Sequence, residues 1–169
     1  QAAVDAVAPQ KDVDGLGVNA TLDPATPLAI NWLVAGYNIN LVGRRIAMVG
    51  NGRLVGAPLA RLWRESGYDV TVFDENSQDM DAQLLDFDVI VSAAGVPGLI
   101  KADSVKYGAV IIDAGTAAEH GKIVGDVAVD VRERDDISIT PQKGGVGPLT
   151  VTALFDNVIR AAQATVKTD

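Results

Sequence analysis

Residues Gly50-Asn51-Gly52-Arg53-Leu54-Val55-Gly56 put three glycines into one short turn. The turn follows the apolar run Arg45-Ile46-Ala47-Met48-Val49 and leads into a segment with helical spacing. At such a junction glycine serves a dinucleotide site. One glycine permits the tight turn, the next lets backbone approach a pyrophosphate, and the last lets helix and strand pack closely. The helix N-terminus then offers N–H groups and a positive dipole end to phosphate. Gly50, Asn51, Gly52, Arg53, Leu54, Val55 and Gly56 are therefore candidate cofactor-binding residues. The third glycine falls at Gly56, one place beyond the usual spacing, so a turn that merely joins strand to helix is the alternative. Asp74 favours the ligand role, because it closes the second apolar run, where the fingerprint places an acid. A carboxylate there accepts bonds from ribose hydroxyls and repels a 2′-phosphate carrying roughly −1.5 to −2 charges. Glu75 adds to that repulsion. The competing reading of Asp74 is an ordinary surface carboxylate in a strand-end turn.

Positioning these residues requires a sheet. Arg45–Val49, Asp69-Val70-Thr71-Val72-Phe73, Val89-Ile90-Val91-Ser92-Ala93-Ala94 and Ala109-Val110-Ile111-Ile112-Asp113 are near-continuous apolar runs, as expected of strands buried on both faces. Ile137-Ser138-Ile139-Thr140 is a weaker fifth candidate. Helical patterns lie between and around them. Val55–Ser66 carries Leu59, Leu62 and Trp63 at helix spacing and stops at Gly67. Gln78–Leu85 is a shorter candidate. Thr26-Pro27 predicts an N-cap and first helical residue for a helix to about Tyr37. Pro148 is expected to open a last helix to about Val166, with Leu154, Val158 and Ala161 on its inward stripe. The alternation predicts an α/β, Rossmann-like fold with a mostly parallel sheet and helices on both faces. Ligands of such sheets lie beyond the carboxyl ends of the strands. That adds Ala94 and Gly95 after the third strand and Thr116 after the fourth to the cofactor-binding candidates. Glycines in those loops could equally well just turn the chain.

Composition removes several function classes. The 169 residues are 48% hydrophobic and 21% charged, enough apolar material to bury a real core. Fourteen basic against 22 acidic residues give a net charge of −8. That argues against nucleic acid and anionic membrane surfaces as partners. There is no cysteine, so thiol catalysis, disulfides and thiolate metal sites are excluded, and the lone His120 rules out a multi-histidine metal site. No metal is expected. His120 reads as a solvated loop residue, and Trp32 and Trp63 as core or domain contacts. The most apolar stretch, Val89–Ile100, is too short and too broken by Ser92, Gly95, Pro97 and Gly98 to span a bilayer. No basic-then-apolar leader is visible from Gln1 onward. The expectation is a cytoplasmic protein of which this is a later portion.

Three further segments complete a pattern: Lys11-Asp12-Val13-Asp14-Gly15, Thr26-Pro27-Leu28 and Gly144-Gly145-Val146-Gly147-Pro148-Leu149-Thr150. With the glycine turn and Gly121-Lys122-Ile123-Val124-Gly125-Asp126-Val127, they resemble the bifunctional methylenetetrahydrofolate dehydrogenase/methenyltetrahydrofolate cyclohydrolase family. The likeness runs from about Val4 to Ala162. It implies that residues 1–24 are a junction segment arriving from an N-terminal catalytic domain, and residues 25–169 an NAD(P)-binding domain. The family's N-terminal domain carries a catalytic lysine in a Tyr-x-x-x-Lys motif, which nothing here matches. Of the family's catalytic positions only Asp14 is present, matching the aspartate that helps hold the pterin. Without the resemblance, Asp14 reads as a turn-capping residue. Gly144, Gly145, Val146 and Pro148 are implied to form a substrate-side loop. The implied partners are a tetrahydrofolate derivative, the N-terminal domain of the same protein and a second copy in a homodimer.

The departures from the family pattern bear on the cofactor. Where the family commonly reads Gly-Arg-Ser, with an arginine for the 2′-phosphate of NADP, this chain has Gly50-Asn51-Gly52. Where it often reads Cys-His-Ser after the second strand, this chain has Phe73-Asp74-Glu75. Both changes favour NAD, with NADP the alternative because Arg53 stands nearby. Gly115-Thr116-Ala117 replaces Gly-Ile-Asn, and Pro141-Gln142-Lys143 replaces Pro-Val-Pro, near the nicotinamide and folate ends. Two other functions remain open from sequence: a diverged, non-catalytic nucleotide-binding module, and a dehydrogenase of another substrate such as shikimate, against which the KDVDG and GGVGP segments speak.

Overall fold

A computed structural model describes residues 2–119 and 121–166, so His120 lies outside the described residues. The four strong apolar runs become β1 (Arg45–Val49), β2 (Asp69–Phe73), β3 (Val89–Ser92) and β4 (Val110–Asp113). A hairpin, β5 (Ala117–Glu119) and β6 (Lys122–Val124), forms a separate antiparallel pair. The weak fifth run supplies only β7 (Ser138–Ile139). The main sheet has order β2-β1-β3-β4-β7 and is parallel throughout. Its registers align the carboxyl ends: Val49 faces both Phe73 and Ser92, and Ser92 faces Asp113. The chain moves from β1 outward to β2 and then crosses to β3 on the other side. That reversal makes the β1/β3 boundary the topological switch point, where a crevice opens in such sheets.

Helices cover both faces. They are α1 (Ala2–Asp5), α2 (Ala25–Gly36), α3 (Gly56–Glu65), α4 (Met80–Leu84), α5 (Val129–Arg132) and α6 (Val146–Val166). Strand residues alternate between two cores. Ile46, Met48, Val91 and Ile112 pack with α2, α3 and α6, where Trp63 is fully buried and its indole N–H donates to Asn31 Oδ1 at 3.1 Å. Ala47, Val49, Ile90 and Ile111 pack with Leu84 of α4 and Val131 of α5. The stop after α3 is Gly67 at φ +86°, a left-handed position.

Three helix details differ from expectation. α2 is capped by Pro24 and begins at Ala25, so Thr26 and Pro27 are its second and third residues rather than cap and first. α6 likewise begins at Val146, with Pro148 third. The reason is common to both: the first-turn N–H groups have no intrahelical acceptor, so proline fits there at more than one position. The inward stripe of α6 is also shifted. Val146, Ala153 and Asn157 are buried, Leu154 packs against the same core and Ala161 is half-buried as expected, while Val158 is exposed along with Val151, Phe155 and Ile159.

Asn157 explains part of that shift. Its amide donates to the carbonyls of Val13 and Asp23, both at 2.9 Å, pinning the two ends of the polar 13–23 segment to α6. Just before that segment, the buried Asp12 carboxylate accepts the N–H of Gly17 at 2.6 Å. Residues 9–23 therefore form a packed loop.

At the amino edge of the sheet, Asp88 accepts the Lys106 ammonium on Oδ1 and the Arg45 N–H on Oδ2. The lysine bond and then the backbone bond hold its carboxyl below the usual carboxylate range. A lowered folded pKa contributes stability that is complete above the ordinary value of about 4 and is lost as pH falls through the folded value. Asp88→Asn is thus expected to lower the melting temperature at neutral pH, by a margin that shrinks in acid. A loss independent of pH, in melts from pH 7 to 3, would show that the deficit is not electrostatic.

Candidate functional site

The glycine turn leaves β1 at the switch point. Gly50 has φ +97° and donates its N–H to Phe73 O at 2.8 Å, carrying the ladder one residue past the strands. A Cβ on Gly50 would lie 2.6 Å from Ala93 O and 2.8 Å from Ala94 N, so this turn and the loop after β3 are in close approach. A Cβ on Gly56, the first residue of α3, would overlap the Gly50 carbonyl oxygen. Gly52 is different: nothing lies within 4 Å of where its Cβ would be. Open space therefore stands over the middle glycine, while the outer two are fixed by packing. Asn51, Gly52, Arg53 and Leu54 are exposed, and Val55 caps α3 without a side-chain hydrogen bond. Of the first-turn groups of α3, the Ala57 N–H is taken by Gly52 O at 3.0 Å and Pro58 carries no N–H.

Asp74 is the first residue after β2, exposed beside Glu75. Its Oδ1 accepts the N–H of Asn76 at 3.0 Å and the Ser77 hydroxyl at 3.3 Å. The carboxylate thus closes its own turn on one oxygen, at the position a ribose-binding acid would occupy. The turn-forming alternative and the ligand role are compatible, since both turn bonds fall on Oδ1.

The loops after β3 and β4 continue the same edge. A Cβ on Gly95 would meet Thr116 O at 3.6 Å, which brings the two loops together. Beyond them a cavity of about 470 Å³ is lined by Leu54, Val55, Thr116, Gly144, Gly145, Val146 and Pro148, with Gly115, Gly125 and Arg132. The structure thus brings the end of the glycine turn, the β4 loop and the expected substrate-side loop to one space. Gly144 has φ +77°, and a Cβ on Gly145 would lie 2.8 Å from Pro141 O, so both glycines serve the bend before α6. Asp14 is exposed in the 9–23 loop and does not line this cavity.

Two buried carboxylates at this edge were missed from sequence. Asp113, at the end of β4, accepts the N–H groups of Gly115, Asp126 and Val127 at 3.0–3.2 Å and pairs with Arg132. Arg132 also donates to Thr140 O at 3.0 Å, so its guanidinium is engaged although it borders the cavity. Asp126 is fully buried and accepts from Ser92 Oγ, Ala94 N and Val96 N at 2.7–2.8 Å. An acid ending the apolar run Val110-Ile111-Ile112 was the available signal. Among the described residues, no group of three His, Cys, Asp or Glu could hold a metal, and no helix is long and apolar enough to cross a membrane.

The family model for the tetrahydrofolate dehydrogenase/cyclohydrolase NAD(P)-binding domain matches residues 24–166. The chain belongs to this family. Among curated members, the bifunctional protein FolD of Macrococcus caseolyticus is 42% identical over 95% of this chain and 60% of its own length. The chain therefore spans about three-fifths of the FolD relatives it matches. Among solved structures, the FolD of Trypanosoma brucei, complexed with NADP cofactor and inhibitor, superposes with TM-score 0.89 at 33% identity over 99% of this chain and 63% of that one. The FolD of Campylobacter jejuni gives TM-score 0.88 at 32% identity, covering 96% of this chain and 61% of that one. Dipicolinate synthase A chain of Bacillus subtilis, at 18% identity and TM-score 0.55, shares the fold alone. This family likewise accounts for the resemblance carried by the KDVDG and GGVGP segments.

Proposed function

We propose that this chain is the nucleotide-binding part of an NAD(P)-dependent 5,10-methylenetetrahydrofolate dehydrogenase with 5,10-methenyltetrahydrofolate cyclohydrolase activity. The observation that carries the reading is the glycine turn at the β1/β3 boundary of a FolD-family chain: Gly50 and Gly56 are locked by packing, while nothing lies within 4 Å of a Cβ added to the exposed Gly52. These residues fit a dinucleotide. The backbone of the Gly50–Gly56 turn would approach the pyrophosphate, with Gly52 leaving room for it. Asp74, with Oδ2 outside its turn bonds, would accept the adenine ribose, and Ala94, Gly95 and Thr116 would flank the nicotinamide half. Bound NAD(P) supplies the hydride acceptor.

The remaining chemistry is alignment. Gly144 and Gly145 with the first turn of α6, opposite Leu54 and Thr116, would press the folate one-carbon bridge toward the nicotinamide side. Hydride transfer gains from such alignment more than from an acid or base. Asp14 would hold the pterin from the 9–23 loop, with residues 1–24 serving as the junction to an upstream catalytic domain. The exposed apolar residues Val151, Phe155 and Ile159 on α6 give that domain a surface to cover. A homodimer in the cytoplasm completes the reading.

NAD is the favoured cofactor, because Asp74 and Glu75 place negative charge where NADP carries its phosphate and Asn51 replaces an arginine. Calorimetric titration is expected to give tighter binding of NAD than NADP, and Asp74→Ala to narrow the gap by removing a ribose acceptor and a repulsive charge together. Tighter binding of NADP by the unaltered protein would overturn the preference. Binding of neither would overturn the cofactor reading itself.

A further inference from the structure

We propose that Asp126 is a positioning residue that sets nucleotide affinity without touching the nucleotide, an inference that rests on the cofactor reading above. Its carboxylate is fully buried beneath the loop after β3. Oδ2 accepts Ser92 Oγ at 2.7 Å and Ala94 N at 2.8 Å, and Oδ1 accepts Val96 N at 2.8 Å. Burying a carboxylate is costly unless its oxygens are fully bonded. Here three donors converge on it, and the backbone ones belong to alternate residues of one exposed loop.

The geometry of the peptide group gives this arrangement a consequence. N–H and C=O of one peptide point in opposite directions. With the N–H groups of Ala94 and Val96 directed at Asp126, the carbonyls of Ala93 and Gly95 are directed away from it. The Ala93 carbonyl points toward the glycine turn, consistent with its 2.6 Å approach to a Cβ placed on Gly50. The Gly95 carbonyl becomes a fixed acceptor on the loop surface. A hydroxyl or carboxamide N–H is the class of donor it suits, and a nicotinamide nucleotide carries both. Asp126 therefore withdraws two backbone donors from the loop surface and leaves the Gly95 carbonyl there as an acceptor.

Asp126 is itself held. Asp113 accepts the backbone N–H groups of Asp126 and Val127 and pairs with Arg132. The fit is close on both sides: a Cβ on Gly115 would overlap the Asp126 carboxylate, and one on Gly125 would overlap the Asp113 carboxylate. The β3 and β4 loops are thus joined into one wall through two carboxylates, with Gly115 and Gly125 making room for them.

Asp126→Asn tests the role with little change of shape. An amide must turn its NH2 toward either Ala94 N–H or Val96 N–H, so one backbone donor meets another donor and the loop has to move. Ser92→Ala is the control, because it removes one buried bond to Asp126 and keeps both loop bonds. NAD and NADP are titrated calorimetrically against each protein, with melting temperatures measured in parallel. Asp126→Asn is expected to weaken binding roughly 10–100-fold, the size of effect seen when the hydrogen-bond partner that orients a metal ligand is lost. Ser92→Ala is expected to lower the melting temperature with little change in affinity. Unchanged affinity in a folded Asp126→Asn protein overturns the positioning role and leaves the cofactor reading standing. Failure of the unaltered protein to bind either nucleotide overturns both. If Asp126→Asn does not fold, hydrogen exchange of the unaltered protein decides. Ala94 and Val96 amides are expected to be protected like those of β3, and exchange at exposed-loop rates overturns the proposal.

Discussion

Gly52→Val is expected to abolish nucleotide binding and leave the fold nearly untouched, whereas Gly56→Ala should damage the fold itself. The two glycines belong to one turn, and their surroundings are opposite. Around Gly52 nothing lies within 4 Å of an added Cβ, and its φ is not in the left-handed region. The added Cβ meets no atom beyond its chain neighbours, and the position is exposed, so the stability change should stay within about 0.5 kcal/mol. Its branched side chain would instead fill the space in which a pyrophosphate must approach backbone. Gly56 is buried, and its Cβ would overlap the carbonyl oxygen of Gly50. Relief requires α3 to move off the turn, and overpacking of this kind costs about 1–3 kcal/mol or more. In a protein of this size that is a fall of several degrees in melting temperature, at roughly 2–4 °C per kcal/mol. Thermal melts and calorimetric titration of both variants read the contrast. Normal binding by Gly52→Val would reduce the turn to a structural joint.

The same turn shows what sequence makes legible. Three glycines between an apolar run and a helical pattern announce a close approach of backbone to something. They do not say which glycine meets protein and which meets ligand. That division needs the position of the β3 loop, which comes from elsewhere in the chain. The strands were legible because both their faces are buried, so Ile46–Val49 and Val89–Val91 are apolar at every position. Helix starts were less so, since a proline within the first turn is compatible with more than one cap, as Pro27 and Pro148 show. The stripe of α6 was misread for a different reason. Apolarity marked Val158 as inward, but the inner face is held by the polar Asn157 bonding two carbonyls of the 13–23 segment, while Phe155 and Ile159 face outward. Asp113 and Asp126 escaped notice because an acid after a strand can be a ligand or a strut. Only the convergence of distant N–H groups on each carboxylate distinguishes them.

Residues 1–169 by themselves are expected to bind nucleotide yet show neither dehydrogenase nor cyclohydrolase turnover. Of the positions that the family resemblance assigns to catalysis, only Asp14 stands in this chain, exposed on a loop tethered to α6 through Asn157. Hydride transfer needs the folate fixed against the nicotinamide. The cavity between Leu54, Thr116 and the 144–148 segment, which ends in the first turn of α6, provides only part of such an enclosure. Full positioning of two reactants is worth about 7–11 kcal/mol, so losing much of it brings the rate below detection. The cyclohydrolase step adds water and opens a ring, and a positioned proton-transfer group contributes about 10²–10⁴-fold to such steps. In the family that group is the lysine of Tyr-x-x-x-Lys, which has no match in this sequence. Extending the chain upstream by a domain carrying that motif is expected to restore both activities, and Asp14→Asn in the extended protein to lower them. The absorbances of methenyltetrahydrofolate and reduced nicotinamide report the two steps separately. Robust turnover by residues 1–169 would place the chemistry in this domain. An extended protein that binds nucleotide and stays inactive would instead identify a diverged binding module, in which the changes at Asn51, Thr116 and Gln142 outweigh the preserved fold.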